Sequence, residues 1–388
     1  MCENKGEKHI AFLLGAGFSV PAGLPTANVL NSFIISEIYN RIRNSFKEGV
    51  AESNYMLQSY ILEKVLIDCD ECGDFNYEQY YEFLEFEKKE ILDADKLLSF
   101  IERGMYGYFW KCSKEKDTRG KERSIKITDM SNSIINKCKK YSDAVEGVEQ
   151  WYQYFIARNL AGNSKKGKLE KINPYYQKFV DIISDYVNRG YIIDIYTLNH
   201  DLLLESLLSF IDFKDKVCNG FGGEINQICG KEYKMFNIKY LNKDIRIYKL
   251  HGSIDIYELS NEFSNKQYIQ MLDGYSEGNA FFMDVNNTVS VLPLFLTGKT
   301  SKIKKYEKEP YKSMLNEFKN HISEAEKLIV IGYSGNDEGI NDILYDKFTN
   351  WSNSYVVAPS ANEHVFVKNK HAKPINKGVE KLSAKDIN

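Results

Sequence analysis

The run Ile10-Ala11-Phe12-Leu13-Leu14 ends abruptly in Gly15-Ala16-Gly17, and Ser19, Gly23, Pro25 and Thr26 then lead into a new apolar-periodic segment. A short unbroken apolar run closed by glycine is the pattern of a strand buried on both faces, so the chain must build a sheet with cover on either side. The glycine turn lets backbone come close to a ligand, and a helix start beyond it offers unpaired N–H groups suited to a phosphate. A tight turn that serves no ligand is equally compatible with this stretch alone.

Two better-known phosphate signatures are excluded. The dinucleotide fingerprint needs a third glycine where Val20 stands, and no second strand follows closely enough to bring an acidic residue to a ribose. Gly298-Lys299-Thr300 imitates the end of a P-loop, but Pro293 occupies the position of its first glycine, and the lysine-rich run beyond it has the pattern of a solvated loop.

With 388 residues the chain is long enough for one large domain or two. Its net charge of −3 gives no global electrostatic case for binding nucleic acid, and no apolar run reaches membrane-spanning length. The polar first residues do not form a signal peptide, so a cytoplasmic location is expected. Cys69 and Cys72 have metal-ligand spacing, but Cys218 and Cys229 do not supply the second pair of a zinc site. Reduced structural cysteines and no metal are therefore expected.

Along the chain, Thr26 is placed to cap a helix bearing Val29, Leu30, Phe33, Ile34 and Ile38 on one face. Helical periodicity with almost no strand signal continues to about Gly167, which predicts a helical insertion over 37–167 between two parts of one domain, 1–36 and 168–360. From Pro174 a helix bounded by Gly190 precedes a strand over 191–197, closed by Leu198-Asn199-His200-Asp201. A strand over 245–250 ends in His251-Gly252-Ser253. The helix Tyr311 to Glu324 feeds a strand over 328–331 that ends in Gly332-Tyr333-Ser334-Gly335-Asn336-Asp337, and Ser354 to Ala358 makes a last strand. The lysine-rich tail, 361–388, is predicted to be mobile. Alternating strands and helices imply an α/β fold, Rossmann-like, with a mostly parallel sheet and helices on both faces. Gly15, Asn199, His251 and Ser334 should converge at the carboxyl ends of its strands.

In content and order, GAGFSVPAGLP, TLNHD, LHGS and IGYSGND resemble the motifs of the sirtuin family over residues 9 to about 346, interrupted by the insertion. The resemblance implies NAD+ as substrate. It places Gly15, Ala16, Gly17 and Ser19 at the pyrophosphate, Gly332 and Ser334 at the phosphate or adenosine side, and Asn199, Asp201 and His251 at the nicotinamide ribose. Pro25, Thr26 and Asn336, at the margins of the same motifs, complete the expected cofactor-binding set, although Asn336 and Asp337 serve equally as caps of the following helix. Sirtuin deacylases carry two cysteine pairs downstream of the HGS motif, and no cysteine follows Cys229 here. The Phe-Arg that usually follows the first proline motif is replaced by Thr26-Ala27.

What remains resembles the divergent bacterial sirtuin-like proteins of antiphage defence, which hydrolyse NAD+ to nicotinamide and ADP-ribose. That likeness implies an oligomer and a possible partnership with a HerA-type hexameric ATPase. In such a reaction Asn199 would hold a ribose hydroxyl or the attacking water, and His251 would act as general base. Asp201 would orient the carboxamide or lock its turn, and His200 would stand behind the site. The alternatives are an NAD- or ADP-ribose-sensing subunit without chemistry and, third, an NAD-dependent deacylase.

Overall fold

A computed structural model describes residues 8–26, 153–161, 174–261, 266–275, 287–290, 292–296 and 306–387. The chain divides into two units, Met1–Leu30 with Phe155–Asn388, and Asn31–Tyr154. The predicted helical insertion lies outside the described residues except for 153–161, which are helical. The helix expected after Thr26 lies outside them too.

The strands of the first unit are β1 (His9–Leu14), β2 (Ile192–Thr197), β3 (Val217–Cys218), β4 (Phe221–Ile228), β5 (Lys231–Phe236), β6 (Ile245–Lys249), β7 (Ile256–Asn261), β8 (Lys266–Met271), β9 (Asn287–Val289), β10 (Ala325–Ile331), β11 (Ser354–Val357) and β12 (Lys373–Ile375). Besides the helical residues 155–161, its described helices are α1 (Gln177–Asn188), α2 (Leu203–Leu208), α3 (Tyr311–Glu324), α4 (Glu338–Lys347) and α5 (Val365–Lys370). Seven strands form one sheet in the order β12-β11-β10-β1-β2-β6-β3, and every pairing in it is parallel.

β1 is buried along its whole length because it lies inside this sheet, paired with β10 on one side and β2 on the other. Alternate residues of a strand face opposite ways. Ala11 and Leu13 join a core with Phe318 of α3, whereas the Phe12 ring meets Phe179 of α1 at 5.8 Å. The predicted double cover is therefore present, and the α/β fold class holds. α1 buries Phe179, Ile182, Ile183, Tyr186 and Val187, the face its periodicity predicts.

Two features depart from expectation. Between β3 and the Leu294–Leu296 segment the chain builds a second, antiparallel sheet, β4-β5-β8-β7-β9, around Ile228, Tyr233, Tyr257, Leu259, Ile269, Met271 and Val289. The tail 361–388, predicted to be mobile, is folded through residue 387. β12 extends the parallel sheet, and Phe366, Leu382 and Ile387 are fully buried. Lys327 in β10 donates to the Ile387 carbonyl and to the Tyr186 hydroxyl, and Asp386 closes a capping box with Ser383. The lysines that make the tail polar lie mostly on its outer side, while sparse apolar residues pin it down.

Candidate functional site

Four strands end in one register line. Leu14 pairs with Ile331 on one side and Thr197 on the other, and Thr197 pairs with Lys249. The residues that follow, Gly332, Gly15, Leu198 and Leu250, therefore start four adjacent loops at the carboxyl edge. The chain runs outward in opposite directions from β1 and β10, so the Gly15 and Gly332 loops flank the topological switch point, where open α/β sheets bind ligands.

At that point the two glycine loops lock onto each other. Gly15 N donates to Ile331 O at 3.0 Å and Gly17 N to Gly332 O at 2.9 Å. A Cβ on Gly15 would lie 2.5 Å from Tyr333 Cα. One on Gly332, whose φ is +62°, would lie 2.2 Å from Phe18 N. These glycines thus serve loop-to-loop contact. Two 3-10 turns, Ala16–Phe18 and Val20–Ala22, follow the glycine turn ahead of Thr26. They use Phe18 N and Ser19 N internally, on Gly15 O and Ala16 O. Among the described residues, the Ala16 N–H alone of the five from Gly15 to Ser19 is not taken up by main-chain pairing.

A buried polar chain runs beneath the turn. Asn199 Nδ2 donates both hydrogens, to Gly15 O at 2.9 Å and to Ser19 Oγ at 3.0 Å. Ser19 Oγ donates in turn to Asp201 Oδ2 at 2.8 Å, and Asp201 Oδ1 accepts from Leu203 N at the start of α2. Lys249 Nζ donates to Asp201 O at 2.5 Å and pairs with Glu205 at 3.0 Å. Burial raises the Glu205 carboxyl above its usual range, with Lys249 opposing and Asp255 adding to the rise. Ser19 and Asp201, 2% and 6% exposed, are buried within this chain of contacts. Asp201 thereby ties the turn to the start of α2. With its amide hydrogens occupied, Asn199 keeps Oδ1, an acceptor, as the remaining polar atom of its amide.

His251 is 4% exposed, and its Nε2 lies 2.8 Å from Tyr306 Oη and 3.2 Å from Asp337 Oδ2. Asp337 does two things at once, since its Oδ1 also caps α4 by accepting from Ile340 N at 3.2 Å. Burial first, then Asp337, raises the Tyr306 phenol far above its ordinary value. Tyr306 carried no sequence signal, lying in the lysine-rich run expected to be solvated loop. The His200 ring stacks on Phe295 at 4.8 Å and lies 6.2 Å from the His251 ring, consistent with a place behind it. Ser334, Asn336 and Gly17 are exposed, and Ala16, Pro25, Thr26 and Asn199 are half-buried, so the accessible margin of the edge is made by these side chains. A cavity of about 650 Å3 lies elsewhere, bounded by α2 and the second sheet through Glu205, Asp255, Gln270, Asn219 and Tyr240. It takes in none of the four motif loops.

A parallel sheet with paired glycine loops at its switch point, and an asparagine and a histidine at the two next strand ends, defines a Rossmann-like α/β domain with its polar groups gathered at the carboxyl edge. Residues 194–375 match the model of the SIR2-like domain, a span that includes Asn199, His251 and Gly332 to Asp337 but not the Gly15 turn. No curated protein matches the chain significantly. Among solved structures the chain is similar to a Sir2 homologue in complex with NAD, at 10% identity and a TM-score of 0.40, over 96% of this chain and 86% of that one. It is also similar to a mutant Sir2 homologue in complex with 2'-O-acetyl ADP ribose, at 11% identity and a TM-score of 0.40, over 96% and 88%. A third likeness is to Sir2Tm bound to a propionylated peptide, at 13% identity and a TM-score of 0.36, over 97% and 91%. Among the described residues, no helix is long and apolar enough to cross a membrane.

Proposed function

We propose that the chain is an NAD+ glycohydrolase that cleaves NAD+ to nicotinamide and ADP-ribose. The observation that carries this reading is the His251–Asp337 contact at 3.2 Å, with His251 at the strand end next to that of a rigidly held Asn199. The nicotinamide leaving group is already cationic in the substrate, so no acid is needed to expel it. What the protein must supply is a stabilised ribose cation and an oriented water. Asn199 Oδ1 is suited to accept from a ribose hydroxyl or that water. Asp337, accepting from His251 Nε2–H, fixes the tautomer in which Nδ1 is basic, and His251 takes the proton as water adds to the ribose carbon. Ala16 N–H, Gly17 and Ser334 lie on the margin suited to the phosphates, with Pro25, Thr26 and Asn336 beside them.

The role such an activity would serve is NAD+ depletion in bacterial antiphage defence, in a homo-oligomer or beside a HerA-type ATPase; this extension rests on the motif resemblance. The test is NAD+ consumption by the purified protein, with nicotinamide and ADP-ribose resolved. His251→Ala should lower kcat by about 10²–10⁴-fold, the usual worth of a positioned base. Asn199→Ala should abolish turnover. Undiminished NAD+ loss in Asn199→Ala would overturn the assignment, and tight ADP-ribose binding without turnover would replace it with a sensing subunit.

A further inference from the structure

At the opposite, amino edge of the parallel sheet two imidazoles and a carboxylate converge. His9 opens β1, and Glu324 closes α3 immediately before Ala325, the register partner of His9 in β10. His321 lies one turn earlier on α3. One ligand atom from each of the three lies within 4.8 Å of the others. β1 is six residues long, so this cluster is roughly 17–20 Å from the Gly15 turn and separate from it.

We propose that His9, His321 and Glu324 bind a borderline divalent transition ion, with Zn2+ as the reference case. The support lies behind the ligands as much as in them. His9 Nδ1 is 2.7 Å from Asp194 Oδ2, and His321 Nε2 is 3.0 Å from Glu317 Oε2. Each imidazole is thus backed on one nitrogen by a carboxylate, the arrangement that orients a metal-binding histidine and raises its basicity. The opposite nitrogens both face Glu324. His321 Nδ1 is 3.4 Å and His9 Nε2 3.9 Å from Glu324 Oε2.

Bonds of about 2.0–2.1 Å around a tetrahedral zinc place neighbouring ligand atoms about 3.3 Å apart. The Glu324 side chain is 59% exposed and has room to close its own distances, the half-buried His321 would have to turn toward His9, and a water would take the fourth position. Asp194 is itself fixed, accepting from Tyr248 Oη at 3.1 Å. Among the described residues, Arg246 is the cation against the cluster, 3.8 Å from Asp194 and 3.4 Å from His321 Nε2. Asp194, Glu317 and Glu324 outweigh it by two negative charges when the imidazoles are neutral, matching a dication. Two imidazoles with a carboxylate favour zinc, cobalt or nickel over magnesium or calcium. Bound there, the ion would clasp the carboxyl end of α3 to the central strand.

The full-length protein, stripped with chelator, should be titrated with Zn2+ by calorimetry and with Co2+ by absorption. One equivalent of Zn2+ should bind, and the Co2+ form should show ligand-field bands without a thiolate charge-transfer band for that equivalent. His321→Ala and Glu324→Ala change half-buried and exposed side chains and should each lose it with unchanged far-ultraviolet dichroism. Glu317→Gln should keep it with affinity about 10–100-fold weaker. Binding that survives in both ligand variants, a thiolate band on that equivalent, or no binding by the wild type would overturn the site.

Discussion

Gly332 shows how tightly the carboxyl edge is specified by single residues. It holds φ at +62°, where a β-carbon costs about 1–2 kcal/mol, and it presses on the Gly17–Phe18 backbone. Crowding of a packed site adds about 1–3 kcal/mol. Gly332→Ala should therefore lower stability by about 2–5 kcal/mol in urea titration, and unchanged stability would mean that the two loops do not interlock. Much of this edge was legible in the residues. The glycines, Asn199 and His251 announce themselves because loops that leave buried parallel strands have few reasons to carry such side chains. The roles were less legible than the positions. The resemblance puts Ser19 at the pyrophosphate and Asp201 at the ribose, yet both are buried, Ser19 accepting from Asn199 and donating to Asp201. Tyr306 reaches His251 from a segment whose lysines mask it, a contact between residues 55 apart that no local pattern encodes.

Among the elements, those with a complete apolar face were readable and those with half a face were not. α3 matches its predicted range because Tyr311, Met314, Leu315, Phe318 and Ile322 keep helical spacing. β4 buries only its end residues, Phe221 and Ile228, and β5 buries only Tyr233, so neither shows a sustained alternation. Their hairpin turns through Cys229 and Gly230, at φ 49° and 74°, with cysteine where asparagine or aspartate usually marks such a turn. The tail misled in the same way. Lysines dominate its count, but Phe366 is wholly buried against Trp351 at 5.3 Å, Tyr345 at 5.7 Å and Tyr333 at 6.1 Å. Phe366→Ala should cost about 3–5 kcal/mol, the range for a buried phenylalanine, in the same urea titration. A tail that moved freely would register no change.

For the whole molecule, the chain closes its sheet by returning to its own beginning. Among the described strands β1 comes first in the chain, yet it separates β2, which follows some 180 residues later, from β10, which follows later still. The SIR2-like match begins at residue 194, beyond β1, so the matched span alone contains a sheet with its central strand missing. Ile10, Phe12, Leu13 and Leu14 are almost wholly buried, and such side chains contribute about 1.5–3 kcal/mol each, roughly 6–12 kcal/mol together. A domain's entire stability is about 5–15 kcal/mol, so this one strand is comparable to the whole. Its loss would also leave β2 and β10 with facing, unpaired edges. A fragment of residues 174–388 should therefore show no cooperative thermal transition and should aggregate, whereas co-expression with residues 1–161 should restore a soluble complex that melts cooperatively. A fragment that folds alone, with a sigmoidal melt and native-like dichroism, would show that β2 and β10 can pair directly and that the strand bearing the Gly15 turn is an addition to the fold instead of its centre.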